Sequence, residues 1–303
     1  MQSLRSRLLY HLVKYQLAKL ARLNLPLPQY RLAREAAAQR LFRMPSDVAV
    51  QQAQLGGCRG EWLRPEVLHG PGIVLYLHGG AYTGGSCVTH RALAASLASA
   101  SKHSIFHPGY RLAPEHPFPA ALDDALATYM ALRAAHPDVP IAVSGDSAGA
   151  GLAVALAVHL RDQAATPPVA MALMSPWTDL ALTHDTHLSK AAVDPYFPTR
   201  ERLRVAALHY AGETELHHPL VSPHYAELGN LPATLIHVGT REALLDDSLQ
   251  LCQRMNAQGS RAEVKVFPGM WHVWQTLHGR MREADQSVQG LGAFLSAHLR
   301  GAA

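Results

Sequence analysis

The sequence predicts an α/β fold, a mainly parallel sheet with helices on both faces, and two observations carry that reading. Short apolar runs (GIVLYLH, HSIFH, PIAVSG, PVAMALM, ATLIHVG and AEVKVF) recur between residues 72 and 267. Segments with helical spacing, among them ALAASLASA, ALDDALATYMALRAA and SLQLCQRMNAQ, separate them. At 303 residues, 48% hydrophobic and 17% charged, the chain suits one globular domain with a small appendage. Glycine and proline are dispersed, and no internal repeat interrupts the alternation.

The N-terminal stretch MQSLRSRLLYHLVKYQLAKLARLN begins like a signal peptide, but His11, Lys14, Gln16 and Lys19 break any apolar core, so it is expected to be retained. Leu4, Leu8, Leu12, Leu17 and Leu20 can share a helical face opposite Arg7, Lys14 and Lys19. That face is expected to dock on the protein, with a membrane surface as the alternative. A second helix is expected near residues 30 to 42, and extended chain around 47 to 64. From there the alternation begins.

Composition narrows the function classes. A net charge of +4, from 27 Lys and Arg against 23 Asp and Glu, with basic residues spread out except near the N-terminus, does not indicate nucleic-acid binding. Cys58, Cys87 and Cys252 have neither CxxC nor metal-ligand spacing and read as reduced thiols in a cytoplasmic protein. The 19 histidines include no HExxH, and His217-His218 falls in a loop beside Pro219, so no zinc site is expected.

The stretch SGDSAGAG at 144 to 151 joins a strand to a helix, and Gly145, Asp146, Ser147, Ala148 and Gly149 meet the GxSxG pattern. The two glycines allow strand and helix to approach, which would raise Ser147 on a sharp turn at a strand's carboxyl end, where sites form in open sheets. Alone, the pattern also fits an ordinary glycine-rich bend. A serine hydroxyl needs a base and an oriented acid to act as a nucleophile. With an elbow of this kind the chain order is serine, carboxylate, histidine, each on a loop after a strand. The loop VFPGMWHVWQ places His272 there, whereas His278 and His298 are expected inside following helices. The loop after ATLIHVG offers Glu242 as the acid, with Asp246 as the competitor; Asp246 and Asp247 otherwise read as helix-capping or surface-paired residues. HGGAYTGGS at 78 to 86 supplies small residues whose amides can face an oxyanion, and Gly79 and Gly80, completed by Ala148, are the expected donors. A phosphate cradle competes, but neither GxGxxG nor GK[ST] is present.

HGGAY at 78 to 82, YRLAPEHPFPAALDDA at 110 to 125, GDSAGAG at 145 to 151 and SPWTDL at 175 to 180, with GTREALLDDS and the His272 loop, resemble the bacterial hormone-sensitive-lipase-like esterases of the α/β-hydrolase superfamily over roughly residues 60 to 300. The resemblance implies an α/β-hydrolase core over residues 46 to 303. It also implies a helical cap made from residues 1 to 45 and an insertion at about 184 to 215. It implies hydrolysis of short to medium acyl esters through an acyl-enzyme, with Ser147 as nucleophile, His272 as base and Gly79 and Gly80 in the oxyanion hole. Tyr110 and Arg111 open a supporting stretch, and Asp146 supports the elbow. Two positions depart from the family's pattern: Ala81 stands where a third glycine is common, and Glu242 where an aspartate is usual.

Tyr82, Tyr196, Phe197, Leu203 and Leu208 are the expected acyl-pocket residues, with core packing the alternative for each. No metal or organic cofactor is expected. The partner is a small-molecule ester, and the oligomeric state a monomer or a homodimer. An amide or lactone hydrolase would use the same residues; a lipase at oil interfaces and a non-catalytic ligand receptor are the remoter readings.

Overall fold

The computed structural model describes residues 2–197 and 199–300. The strands are β1 (Val48–Leu55), β2 (Cys58–Pro65), β3 (Ile73–Leu77), β4 (Ser104–Pro108), β5 (Ile141–Asp146), β6 (Ala170–Met174), β7 (Ala233–Arg241) and β8 (Ala262–Trp271). They form one sheet in the order β1-β2-β4-β3-β5-β6-β7-β8. The hairpin β1-β2 joins its edge antiparallel, and the six strands from β4 to β8 run parallel. All six parallel strands fall on the predicted apolar runs.

Helices α3 (Cys87–Ser101), α4 (Ala120–Ala135), α5 (Ala148–Asp162) and α8 (Leu245–Ala257) lie between the parallel strands, and α9 (Arg282–Leu299) follows the last of them. Both faces of the sheet are buried at its central strands β3, β5 and β6, as continuous apolar strands require. Ile73, Leu75 and Leu77 of β3 point into the layer of α4, α5 and α8, while Val74 and Tyr76 point into that of α3 and α9. Residues between β6 and β7 form the short α6 (Thr186–Ser189) and α7 (Arg200–Ala211).

Two helices precede the sheet, α1 (Leu4–Arg22) and α2 (Leu27–Leu41). Helix α1 does dock on the body, but not through the predicted face. Leu4 and Leu8 are 77% and 73% exposed, and Leu12 is half exposed. The buried side is marked instead by Ser6 and Tyr10, with Leu9 and Val13 packed alongside. Hydrogen bonding decides the rotation. The Ser3 backbone N–H donates to Glu283 Oε1 at 2.7 Å, the Tyr10 hydroxyl donates to the Val193 carbonyl at 2.9 Å, and the Tyr10 ring lies 5.6 Å from that of Trp271. A leucine count sees only hydrophobicity; the tyrosine and serines bring both apolar area and partners.

The start of α5 packs hard against the end of β3. A Cβ added at Gly149 would stand 2.1 Å from the Leu77 carbonyl oxygen and 2.3 Å from that of His78. Backbone cannot yield as a flexible side chain can. Gly149→Ala is therefore expected to destabilise the fold by about 3 kcal/mol, at the upper end of overpacking costs. Urea unfolding checks it, and a change below about 1 kcal/mol would mean that the contact opens freely.

Candidate active site

Ser147 occupies the turn between β5 and α5 with φ 54° and ψ −123°. That left-handed φ is strained for a residue with a Cβ. Two bonds to the end of β6 and the loop after it fix it: the Ser147 amide donates to the Met174 carbonyl at 2.8 Å, and its carbonyl accepts from the Trp177 amide at 3.0 Å. Because β5, β7 and β8 are parallel in one sheet, the residues following them emerge at the same edge. Glu242 follows β7 and His272 follows β8. His272 Nε2 lies 2.9 Å from Ser147 Oγ, and His272 Nδ1 lies 3.0 Å from Glu242 Oε2. The other Glu242 oxygen accepts from the Ser175 hydroxyl at 3.1 Å and from the Gly239 amide. All three residues are buried.

Burial opposes charge on His272, but the Glu242 carboxylate and more distant Asp194 and Asp146 outweigh it and raise the imidazole above its ordinary value. The alternative acid, Asp246, points elsewhere: it accepts from the Thr186 amide at 3.1 Å. Asp247 is neither a surface residue nor a mere cap. It is fully buried, accepts from the Thr178 and Asp179 amides at 2.8 Å each, and pairs with His187 and His184. His278 follows a short turn, Trp274–Leu277, outside any longer helix, with its ring against Ser96, whereas His298 lies in α9 as expected.

The expected oxyanion donors need one correction. The Gly79 amide is already engaged, donating to Asp146 Oδ1 at 3.0 Å. Asp146 also accepts from the Tyr76 hydroxyl at 2.7 Å and pairs with His90 Nε2 at 3.3 Å. Burial alone would raise its pKa, but His90, Tyr76 and Gly79 together hold it down at about 2. Among the described residues the Gly80 and Ala81 amides donate to no protein group, and both residues border the cavity at Ser147. Ala81 has φ 53°. Glycine-pair counting in HGGAY missed it because nothing in the sequence says which amide the neighbouring aspartate has taken. Tyr110 and Arg111 are supports, as expected: the Tyr110 hydroxyl donates to the His78 carbonyl at 2.6 Å, and Arg111 is bidentate to Asp124.

A cavity of about 350 Å³ opens onto Ser147 and His272. Its walls come largely from the N-terminal helices, including Leu9, Val13 and Leu17 of α1 and Tyr30 and Ala38 of α2. Phe197 and Tyr196 line it as expected, their rings 5.1 and 5.6 Å from that of His272. The other three pocket expectations are overturned. Tyr82 is buried in the core, its ring stacked on Tyr210 at 3.6 Å. Leu203 is wholly buried in that same core, and Leu208 sits on the exposed side of α7 at 43%. Sequence reasoning also missed Asp194, whose buried carboxylate accepts from the Tyr196, Phe197 and Ala243 amides. Its signal was the turn-forming DP pair in VDPYF.

The fold and this arrangement of serine, imidazole and carboxylate are those of a serine hydrolase of the carboxylesterase type. Residues 74–276 match the family described as alpha/beta hydrolase fold. An acetyl-hydrolase of Streptomyces hygroscopicus is 40% identical over 83% of this chain and 82% of its own. An esterase of Acinetobacter venetianus is 35% identical over 85% of each. The crystal structure of an esterase from the bacterial hormone-sensitive lipase family superposes with a TM-score of 0.91 at 34% identity, covering 99% of each chain. The chain belongs to the α/β-hydrolase family, and within it to the bacterial hormone-sensitive-lipase-like esterases.

The Asp146 carboxylate ties β3, α3 and the loop after β3 together, and its depressed pKa makes that tie depend on pH. Its contribution to stability is complete above the unfolded value of 3.8 and is lost as pH falls through about 2. Asp146→Asn is expected to cost about 2 kcal/mol at neutral pH and to flatten the stability profile across that acid window. Thermal melts of both proteins over the range check it; parallel profiles would mean that Asp146 does not carry the acid loss.

Proposed function

We propose that the protein hydrolyses carboxylic esters of short to medium acyl chain through an acyl-enzyme on Ser147. The observation that carries this reading is His272, in contact with Ser147 Oγ through one ring nitrogen and with Glu242 through the other. Family membership and the acetyl-hydrolase and esterase names of the relatives support it.

With Nε2 unprotonated, His272 takes the Ser147 proton as Oγ attacks the ester carbonyl carbon. The carbonyl electron pair moves onto oxygen, where the Gly80, Ala81 and Ala148 amides donate to it. The tetrahedral species collapses, the C–O bond to the alcohol breaks, and His272 returns the proton to the departing oxygen. Water, deprotonated by His272, then attacks the acyl carbon and releases the acid and free Ser147. Glu242 accepts a hydrogen bond from the His272 Nδ1–H throughout without taking the proton, fixing the tautomer. Residues 1 to 45 and the insertion at about 184 to 215 serve as the cap over this site, since both supply walls of the cavity. A cytoplasmic location belongs to the same reading, on the free thiols of Cys58, Cys87 and Cys252.

Chromogenic esters of two-, four-, eight- and twelve-carbon acids provide the assay. Turnover is expected to be strongest on the shorter esters, with Ser147→Ala down by about a millionfold and Glu242→Gln by about ten-thousandfold. Asp246→Asn should stay near wild type; loss there with Glu242→Gln unaffected would reassign the acid. Because His272 must be neutral to act as base and its pKa is raised, kcat/KM should rise with pH along a limb lying above 6.5. Glu242→Gln should move that limb to lower pH in whatever activity remains. Deleting residues before about 40 removes the Tyr10 and Ser3 bonds and one side of the cavity, so it should lower Tm and alter acyl-length preference. Unchanged kinetics and melting would count against an N-terminal cap.

A further inference from the structure

The N-terminal helix pair carries two features that its packing leaves unused. The first is an apolar stripe on α1 facing away from the body. Leu4, Leu8, Leu12 and Tyr15 are 77%, 73%, 50% and 62% exposed. At 100° per residue they fall within about a quarter-turn, opposite the docked side of Ser6, Tyr10 and Val13. Leu32 on α2 is 66% exposed as well. The second is charge. Residues 1 to 43 hold nine Lys and Arg against the single Glu35, a net of +8 in a chain whose total is +4, so all the remainder is net acidic. Arg31 pairs with Glu115 and Lys14 donates to the Ala192 carbonyl, but Arg5, Lys19 and Arg22 form no salt bridge among the described residues, and large exposed apolar side chains beside such cations cost solubility unless something covers them.

We infer that α1 and α2 lie on an anionic lipid bilayer surface, with Leu4, Leu8 and Tyr15 inserted at the headgroup boundary and the flanking Arg5, Lys19 and Arg22 over lipid phosphates. Amphipathic helices of this composition bind in the interfacial plane through apolar burial plus attraction to anionic lipid. Among the described residues no helix is long and apolar enough to cross a membrane, so the arrangement is contact and not insertion through the bilayer. Charge argues against a second copy on this face, because a two-fold contact would bring two net cationic surfaces together. Leu12 links the stripe to the cavity, being half exposed and also part of its wall. On the ester reading, that places the entrance at the lipid surface; the docking itself does not depend on that reading.

Cosedimentation of the full chain with vesicles tests the proposal. The protein is expected to pellet with phosphatidylglycerol-rich vesicles, not with pure phosphatidylcholine, and to be released in about 1 M salt, where the screening length shrinks to about 3 Å. Leu4→Glu with Leu8→Glu should lower partitioning more than tenfold while leaving Tm and turnover of a water-soluble ester unchanged. Absence of wild-type binding to anionic vesicles overturns the proposal, and so does binding that the double variant retains. A dimer seen by light scattering that the double variant dissolves, without vesicle binding, assigns the stripe to self-association instead.

Discussion

The close approach of α5 to the end of β3 is the contact on which the rest of the site depends. Only a hydrogen at Gly149 allows the helix to begin against the Leu77 and His78 carbonyls, and that approach leaves Ser147 at a φ its side chain disfavours. The strain is not released because the Met174 carbonyl and the Trp177 amide grip the serine's own backbone from the neighbouring crossover. Ser147 is thus held by backbone bonds that continue just past the end of the β5–β6 ladder. Its placement relative to Glu242 and His272 then follows from strand order, since neighbouring parallel strands end at one edge.

Asp146 acts on the opposite side of the serine. Its carboxylate gathers the Tyr76 hydroxyl, the Gly79 amide and His90, so the loop after β3 is positioned from the elbow itself. Because Gly79 is consumed in that task, the amides left facing the cavity are one and two residues further on. Ala81 and Tyr82 both take left-handed φ angles, 53° and 59°. Such conformations cost about 1 kcal/mol or more each. The Tyr82 ring, buried on Tyr210, supplies packing that can hold the turn. A residue expected in the acyl pocket instead supports the loop beneath it.

Much of this was legible in the chain. The parallel strands, the elbow, Glu242 and His272 rest on local signals, apolar runs and strand-end loops, which tertiary packing did not override. What was not legible depends on competition between partners. Gly79 and Gly80 look alike in HGGAY until the Asp146 carboxylate is placed. Leu203 and Leu208 differ only in which flank of α7 meets the core. The rotation of α1 departs from the leucine count because Tyr10 and Ser3 have fixed partners in the body and the exposed leucines do not.

Those partners also join the N-terminal helices to the chemistry. The Tyr10 hydroxyl and the Lys14 ammonium donate to the carbonyls of Val193 and Ala192. The next residue, Asp194, accepts from the amides of Tyr196 and Phe197, which wall the cavity, and from that of Ala243, beside Glu242. One buried carboxylate therefore orients two wall residues and braces the loop of the acid. Burial raises its pKa, against the pull of His272 and those three amides, so the tie is strong only while all its donors remain in place. Val193 takes a bond from α1, and its neighbour Asp194 takes one from the amide next to the carboxylate that faces His272. The seating of α1 and the loop that carries Glu242 are thus joined through the adjacent residues Val193 and Asp194, one bonded to Tyr10 and the other to the Ala243 amide.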